Sequence, residues 1–235
     1  MQEITSKTDG YIKKENIVKS FLIITLSTVM ITLTGCATSR GFVTLNSAQD
    51  VSQSETLKQT AVIKVVQDDR HFENRPKTPN IPSLKGGLDK ATAEDKSKAI
   101  ARKRNTYGKA LGDIMLREGT VTSVVQDRIN SALNQSGYKV VPTSTENDQK
   151  ADLVVSVEIN KFWSWAEMGV LSGSLNTEIE TTLINDKNSA KNLVVETKLT
   201  RPVHVMTGAQ WIENMNLALD EYETKLVKAL KAQEK

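Results

Sequence analysis

The sequence predicts an α+β domain of two layers, a mixed or mostly antiparallel sheet of about five strands with two main helices packed on one face. Three observations carry this. Several stretches alternate apolar and polar residues at the two-residue period of a half-buried strand. Two stretches repeat apolar residues at the three-to-four-residue spacing of an amphipathic helix. The order of these stretches lacks the regular strand-helix alternation and the glycine fingerprint of a doubly wound nucleotide fold.

The elements follow in chain order. Ala61-Val62-Ile63-Lys64-Val65-Val66 is a short β-branched run typical of a strand. Residues 67–98 contain Pro76, Pro79, Pro82 and Gly86-Gly87 and read as a long polar loop, opening an insert that spans 67–106. Residues 99–116 have some helical character, broken by Gly108 and Gly112. Residues 122–136 form a clearer helix on Val121, Val125, Ile129 and Leu133, with Gly137 as its C-terminal cap. Residues 138–141 and 151–162 read as strands, the latter placing Leu153, Val155, Val157, Ile159 and Lys161 on one alternating set. Residues 163–174 read as an aromatic, glycine-punctuated link. A hairpin follows, 175–184 and 193–206, around the polar turn Asn185-Asp186-Lys187-Asn188-Ser189. The terminal helix, 209–231, carries the stripe Trp211, Met215, Leu219, Tyr222, Leu226 and Leu230.

Composition narrows the function. The 235 residues hold 31 Lys and Arg against 28 Asp and Glu, with one cysteine and two histidines. This excludes a disulfide scaffold, a cysteine-built zinc site and a strongly basic nucleic-acid binder, so no nucleic-acid partner is expected. No metal or cofactor is expected either. His71 stands beside Asp68 and Asp69, but no third ligand is picked out by spacing, and His204 is remote. Tyr107-Gly108-Lys109-Ala110-Leu111-Gly112 lacks the ending of a phosphate loop. Glu178 and Glu180 lie on one solvated strand face, which is not the facing geometry of a hydrolytic carboxylate pair. No catalytic set is therefore assigned. Two surfaces are candidates for binding: Trp163, Trp165, Met168 and Leu171 as a partner-docking rim, and Arg102, Lys103 and Arg104 as an anion contact.

The N-terminal region is the most specific part. Residues 21–33 form a 13-residue apolar core, preceded by Lys13, Lys14 and Lys19 and followed by Thr34-Gly35-Cys36-Ala37. That is the layout of an export signal, and the core is shorter than the roughly 20 residues needed to cross a bilayer. Leu33-Thr34-Gly35-Cys36 resembles the bacterial lipobox. The resemblance implies diacylglycerol on the thiol of Cys36, cleavage between Gly35 and Cys36, and an N-acyl chain on the new amine. It implies, through Ala37 at the sorting position, anchorage in the outer membrane on the periplasmic side. Residues 1–35 are then a signal peptide, 36–59 a lipidated N-terminus and flexible tether, and 60–235 a single periplasmic domain. After cleavage 27 positive and 25 negative side chains remain, too balanced for broad electrostatic capture.

A lipobox, a Val-rich strand ending in Asp69-Arg70, a helix followed by Gly137-Tyr138-Lys139-Val140, the Ala151-Asp152-Leu153 strand and a terminal helix together resemble the YajG-type outer-membrane lipoproteins. The resemblance implies a lipoprotein without enzymatic chemistry that serves as an accessory, assembly or structural factor of the cell envelope by binding an envelope protein. The alternatives are a module for lipid or cell-wall glycan, marked by an aromatic-lined groove, and a hydrolase, marked by a serine bonded to His71 or His204.

Overall fold

The computed structural model describes residues 39–48, 59–105, 107–169, 173–204 and 206–233. The chain divides into two units, Met1–Ser39 and Arg40–Lys235, and every element below belongs to the second. Gly35, Cys36, Ala37, Leu171 and most of the expected tether lie outside the described residues.

The fold is α+β with a mixed sheet, as the periodicities predict, but the described residues form eight strands and four α-helices. The strands are β1 (Gly41–Val43), β2 (Gln59–Asp68), β3 (Ala99–Arg104), β4 (Ala110–Leu116), β5 (Tyr138–Val140), β6 (Leu153–Met168), β7 (Gly173–Asn185) and β8 (Leu193–Val203). The helices are α1 (Ala93–Lys98), α2 (Val121–Gln135), α3 (Thr145–Lys150) and α4 (Gly208–Gln233). No helix among the described residues is long and apolar enough to cross a membrane.

The sheet is organised around β6. One edge of β6 pairs antiparallel with β7 along its length, and β7 pairs antiparallel with β8, which is the expected hairpin. The other edge is shared. Its first half pairs parallel with β2, which carries β5 beyond it, and at Ser164 it passes to β3, which carries β4 and then β1. The sheet therefore forks where β2 leaves β6 and before β3 arrives.

Arg70 fills the fork. Its Nη1 donates to the carbonyls of Ala99 at 2.6 Å and Phe162 at 3.1 Å, and its Nη2 donates to that of Lys96 at 2.7 Å. Asp68 holds the other side of the guanidinium, at 2.7 Å to Nε and 2.8 Å to Nη2. One buried cation, itself paired, thus donates to two strand carbonyls at the break in the ladder, Ala99 of β3 and Phe162 of β6, and to the Lys96 carbonyl at the end of α1, which also accepts from the Ala99 N–H.

The two larger helices lie on one face, as expected. α2 contributes Val121, Val125, Ile129, Ala132 and Leu133, and α4 contributes Trp211, Met215, Leu219, Tyr222, Leu226 and Leu230, to one core with the inward side chains of the strands. α2 starts at a capping box made by Thr120 and Ser123, and Gly137 at φ 94° closes it. Arg128 crosses from α2 to α4, donating to Glu223 at 3.0 Å and Asp220 at 2.7 Å, while its Nη2 donates to the Asn46 carbonyl at 3.1 Å.

Four sequence expectations are corrected. Residues 99–116 are the hairpin β3–β4 and not a helix, because Ala99, Ile100 and Ala101 bury at consecutive strand positions. Its turn is set by Gly108 at φ 76° and by the Asn105 side chain, which accepts from the backbone N–H groups of Tyr107 and Lys109. The stretch 67–98 is not one loop, since it holds the end of β2 and the helix α1 capped by Thr92 and Asp95. Residues 40–48 are not free tether: β1 pairs parallel with β4, Arg40 meets Asp113 at 3.1 Å, and the Ala48 N–H donates to Asp127 at 2.8 Å. Finally, residues 163–168 continue β6, opposite Glu178 to Gly173 of β7, where a link was expected.

Replacing Arg70 by Met takes this donor from the Ala99 and Phe162 carbonyls in a buried position and strands Asp68. We expect a loss of about 3–5 kcal/mol in urea unfolding, with accelerated amide exchange in residues 71–91 under native conditions. An unchanged midpoint with unchanged exchange overturns this account of the fork.

Candidate functional site

The site is built by one irregularity. Ile159 of β6 faces Thr181 and Lys161 faces Glu180, so Asn160 is an extra residue, a β-bulge, with its side-chain amide donating to Thr182 Oγ1 at 2.8 Å. Before the bulge Val155, Val157 and Ile159 point to the helices. After it Phe162 and the Ser164 hydroxyl do, and Lys161, Trp163 and Trp165 turn to the opposite, outer face. The predicted set that ran unbroken from Leu153 to Lys161 is thus split at Asn160.

On the outer face Trp163 is 2% exposed and packs with Leu84, Ala99 and Met115 under the Pro-containing loop. Phe72 meets it edge-on at 6.2 Å between ring centroids, and its Nε1 donates to the Pro79 carbonyl at 3.1 Å. Trp163 is therefore a floor for the loop and not part of a docking rim, because the loop itself buries the ring that the sequence leaves open. Trp165 is half-buried beside this cluster with its Nε1 on Glu167 at 2.9 Å. Of the predicted rim, Met168 stands half exposed.

The basic run is also engaged in holding the loop. Arg102 donates to Ser83 Oγ at 3.2 Å and lies 3.7 Å from Asp113, and Arg104 donates to the carbonyls of Gly108 and Pro76. Burial pushes both guanidinium pKa values down. Lys103 is half-buried and engaged as well. Asp113, wholly buried, accepts from the Lys85 N–H at 2.9 Å and so fastens the loop to β4.

Between this loop and the hairpin β7–β8 runs a groove of about 440 Å³. His71, Asn80 and Ile81 form its loop side, and Asn160, Lys161, Glu178 and Lys198 form its sheet side. The sheet side is a ladder of alternating charge across three strands. Lys161 Nζ lies 2.7 Å from Glu180 and 3.0 Å from Glu178; Lys198 Nζ lies 3.1 Å from Glu178 and 2.9 Å from Glu196. Sequence reasoning placed Glu178 and Glu180 on one strand face but missed the lysines, which come from β6 and β8. The alternation within each strand was legible, and the register that aligns them was not.

Hydrogen bonding to Glu180 first, then to Glu178, raises the Lys161 pKa against partial burial. Lys198 is raised by Glu196 and Glu178, and Glu196 is lowered chiefly by Lys198. These shifts favour the charged forms of Lys161, Lys198 and Glu196, in a ladder that sets three carboxyl groups against two amines. Carboxylate oxygens of Glu178, Glu180 and Glu196 lie within 4.8 Å of one another, yet the ammonium groups already stand among them. Among the described residues no serine is hydrogen-bonded to His71 or His204; the His71 imidazole is 79% exposed and lies 3.5 Å from Glu73. The groove thus offers paired charge and amides for recognition, and its tryptophan presents no open ring face to a sugar.

The ladder has a definite pH signature. The contribution of Lys161 is full below its ordinary 10.5 and is lost as pH rises through its raised folded value. That of Glu196 is full above its ordinary 4.5 and is lost as pH falls through its lowered folded value. Lys161→Met should cost about 1–2 kcal/mol at neutral pH, chiefly by leaving the nearly buried Glu178 with one partner fewer. The difference in thermal midpoint from the native chain should be flat across neutral pH, and shrink in strong acid, in strong alkali and in 1 M salt. A difference independent of pH and salt assigns the effect to packing of the lysine stem instead.

No family model matches the chain, and no curated protein matches it. Among solved structures it is similar to a Xanthomonas campestris protein of the DUF330 family model, with a TM-score of 0.47 and 12% identity over 83% of this chain and 97% of that one. It is also similar to a neuraminyllactose-binding hemagglutinin homologue from Helicobacter pylori, with a TM-score of 0.42 and 10% identity over 82% of this chain and 97% of that one.

Proposed function

We propose that this chain is a lipid-anchored accessory lipoprotein of the bacterial envelope, facing the periplasm from the outer membrane. It acts without catalysis, by binding an envelope protein. The observation that carries the reading is Leu33-Thr34-Gly35-Cys36 directly behind a basic segment and a 13-residue apolar core. A cysteine thiolate is the nucleophile that thioether formation requires, and this is the chain's single cysteine. Several acyl chains on Cys36 give stable attachment where one chain gives only marginal binding.

The groove supports protein binding over chemistry. Its lysines are held fully protonated by glutamates, the opposite of the depressed pKa that a nucleophilic or proton-abstracting lysine needs. Paired charges on a firm sheet, facing a loop whose backbone is fastened by Arg70, Trp163 and Asp113, suit a partner surface of complementary charge pattern. The loop then orients the partner and the lipid sets where the encounter occurs.

The test uses the full chain in cells of a two-membrane bacterium. Metabolic labelling with palmitate should mark the native chain and leave Cys36→Ser unmarked, with the native chain fractionating with outer membrane. Photo-crosslinkers placed at Asn80 and at Lys198, one on each wall of the groove, should capture one envelope protein, and less of it from Cys36→Ser. Absence of label on the native chain sinks the anchor. Efficient labelling with links to many proteins in proportion to their abundance sinks the specific partner.

A further inference from the structure

Among the described residues β8 pairs with β7 alone, which leaves its second edge as a row of backbone groups without a strand partner along an 11-residue strand. The Glu196 carbonyl points to that edge, because it accepts from Lys225 Nζ of α4 at 3.1 Å. Alternation along the strand then turns the backbone groups of Val194, Glu196, Lys198 and Thr200 outward. Pro202, which has no N–H to offer, occupies the next outward position. The same four residues put their side chains on the outer face, and all four are exposed, Val194 at 66%.

We propose that β8 pairs antiparallel with β8 of a second copy of this chain about a two-fold axis at Thr197, joining two sheets into one. The register follows from three constraints. Outward residues must face outward residues, which sets Glu196 opposite Lys198 and Val194 opposite Thr200, each pair exchanging backbone hydrogen bonds. Charge selects among the registers that meet this rule. With the axis at Thr197, Glu196 of each copy faces Lys198 of the other; a shift of the axis by one residue sets Glu196 against Glu196, or Lys198 against Lys198. Thr197 supplies the third constraint. Its Oγ1 is buried without a hydrogen-bond partner, and the axis brings the Thr197 hydroxyls of the two copies together as a close, non-hydrogen-bonded pair on the inner face. Pro202 then falls opposite Asn192, outside the paired stretch, so it ends the interface without interrupting it. In the isolated chain Lys225 covers the edge at Glu196, and it gives up that one bond when the second strand arrives.

The test is disulfide trapping in the full chain, in membranes from expressing cells, with a Cys36→Ser version to exclude bridges through Cys36. Val194→Cys combined with Thr200→Cys should give a covalent dimer on mild oxidation, since facing residues in such a pair have Cα atoms about 5.5 Å apart. Val194→Cys combined with Lys198→Cys, one pair out of register, should give at least about tenfold less. Sedimentation of the detergent-solubilised native chain should give the mass of two copies. Val194→Pro removes an outward N–H twice per dimer, leaves the β7 pairing intact, and should weaken association at least about tenfold with an unchanged thermal midpoint of the diluted chain. Equal trapping in both registers, a monomeric mass at all concentrations, or association untouched by Val194→Pro overturns the proposal. If the groove captures an envelope protein while β8 stays unpaired, the two surfaces are separate and only this inference fails.

Discussion

β6 is longer than any strand available to pair with its second edge, and the fold depends on how that mismatch is closed. β2 covers the beginning and β3 the end, and between them a carbonyl of β6 would be buried without a partner. A buried carbonyl in this state costs as much as a lost hydrogen bond, so the fork needs a donor that reaches several acceptors in one plane. The guanidinium of Arg70 meets the requirement because its donors form a rigid fan, whereas a lysine would present one point charge. Asp68 neutralises it and the Phe72 ring lies 5.2 Å from its carbon, which fixes the direction in which the chain leaves the sheet. The loop over Trp163 starts from that direction.

The same stretch of β6 explains why the molecule has an outer face with any character. A strand of 16 residues with one parity would give the helices its whole apolar side and give the other side to water. The Asn160 bulge exchanges the two sides halfway along, sending Phe162 inward and Trp163 outward. An outward tryptophan demands cover, and the Pro-containing loop supplies it, fastened at Pro79, Ser83 and Lys85. The groove is what remains between that cover and the charged ladder of β6, β7 and β8. Among the described residues the last of these strands is an edge of the sheet, so the ladder and that edge share Glu196 and Lys198.

The two sides of the sheet are stabilised differently. The helix side is a single apolar core closed at its flank by Arg128, which meets Glu223 where Ser131 and Gln135 also donate. The charge tolerates such burial because Nη1 meets two carboxylates and Nη2 the Asn46 carbonyl, although Nε is buried without a partner. Among the described residues the outer side carries small apolar clusters, around Trp163 at one end and around Val62 and Val154 at the other, with ion pairs between them. Local opening is therefore expected to begin on the outer side, where apolar burial is least.

The sequence by itself determined what periodicity and composition can express. α2 and α4, the β7–β8 hairpin, β2, β5 and the first half of β6 are all present, because their apolar stripes repeat at 3.6 or 2 residues and their ends carry residues such as Gly137 that no other position favours. The Leu33–Cys36 pattern is likewise a property of sequence alone. Tertiary structure decided everything that rests on pairing between distant segments: the hairpin β3–β4, whose alanines carry no strand signal, the docking of residues 40–48, the enclosure of Trp163, and the use of Arg102 and Arg104 to hold a loop. It also decided the charged ladder, since Lys161, Glu178 and Lys198 lie on three strands. The physical reason is common to these cases. A bulge, a register and a shared strand edge are set by which backbone partners meet in space, and a one-residue slip that no local pattern records reverses the face of every side chain beyond it.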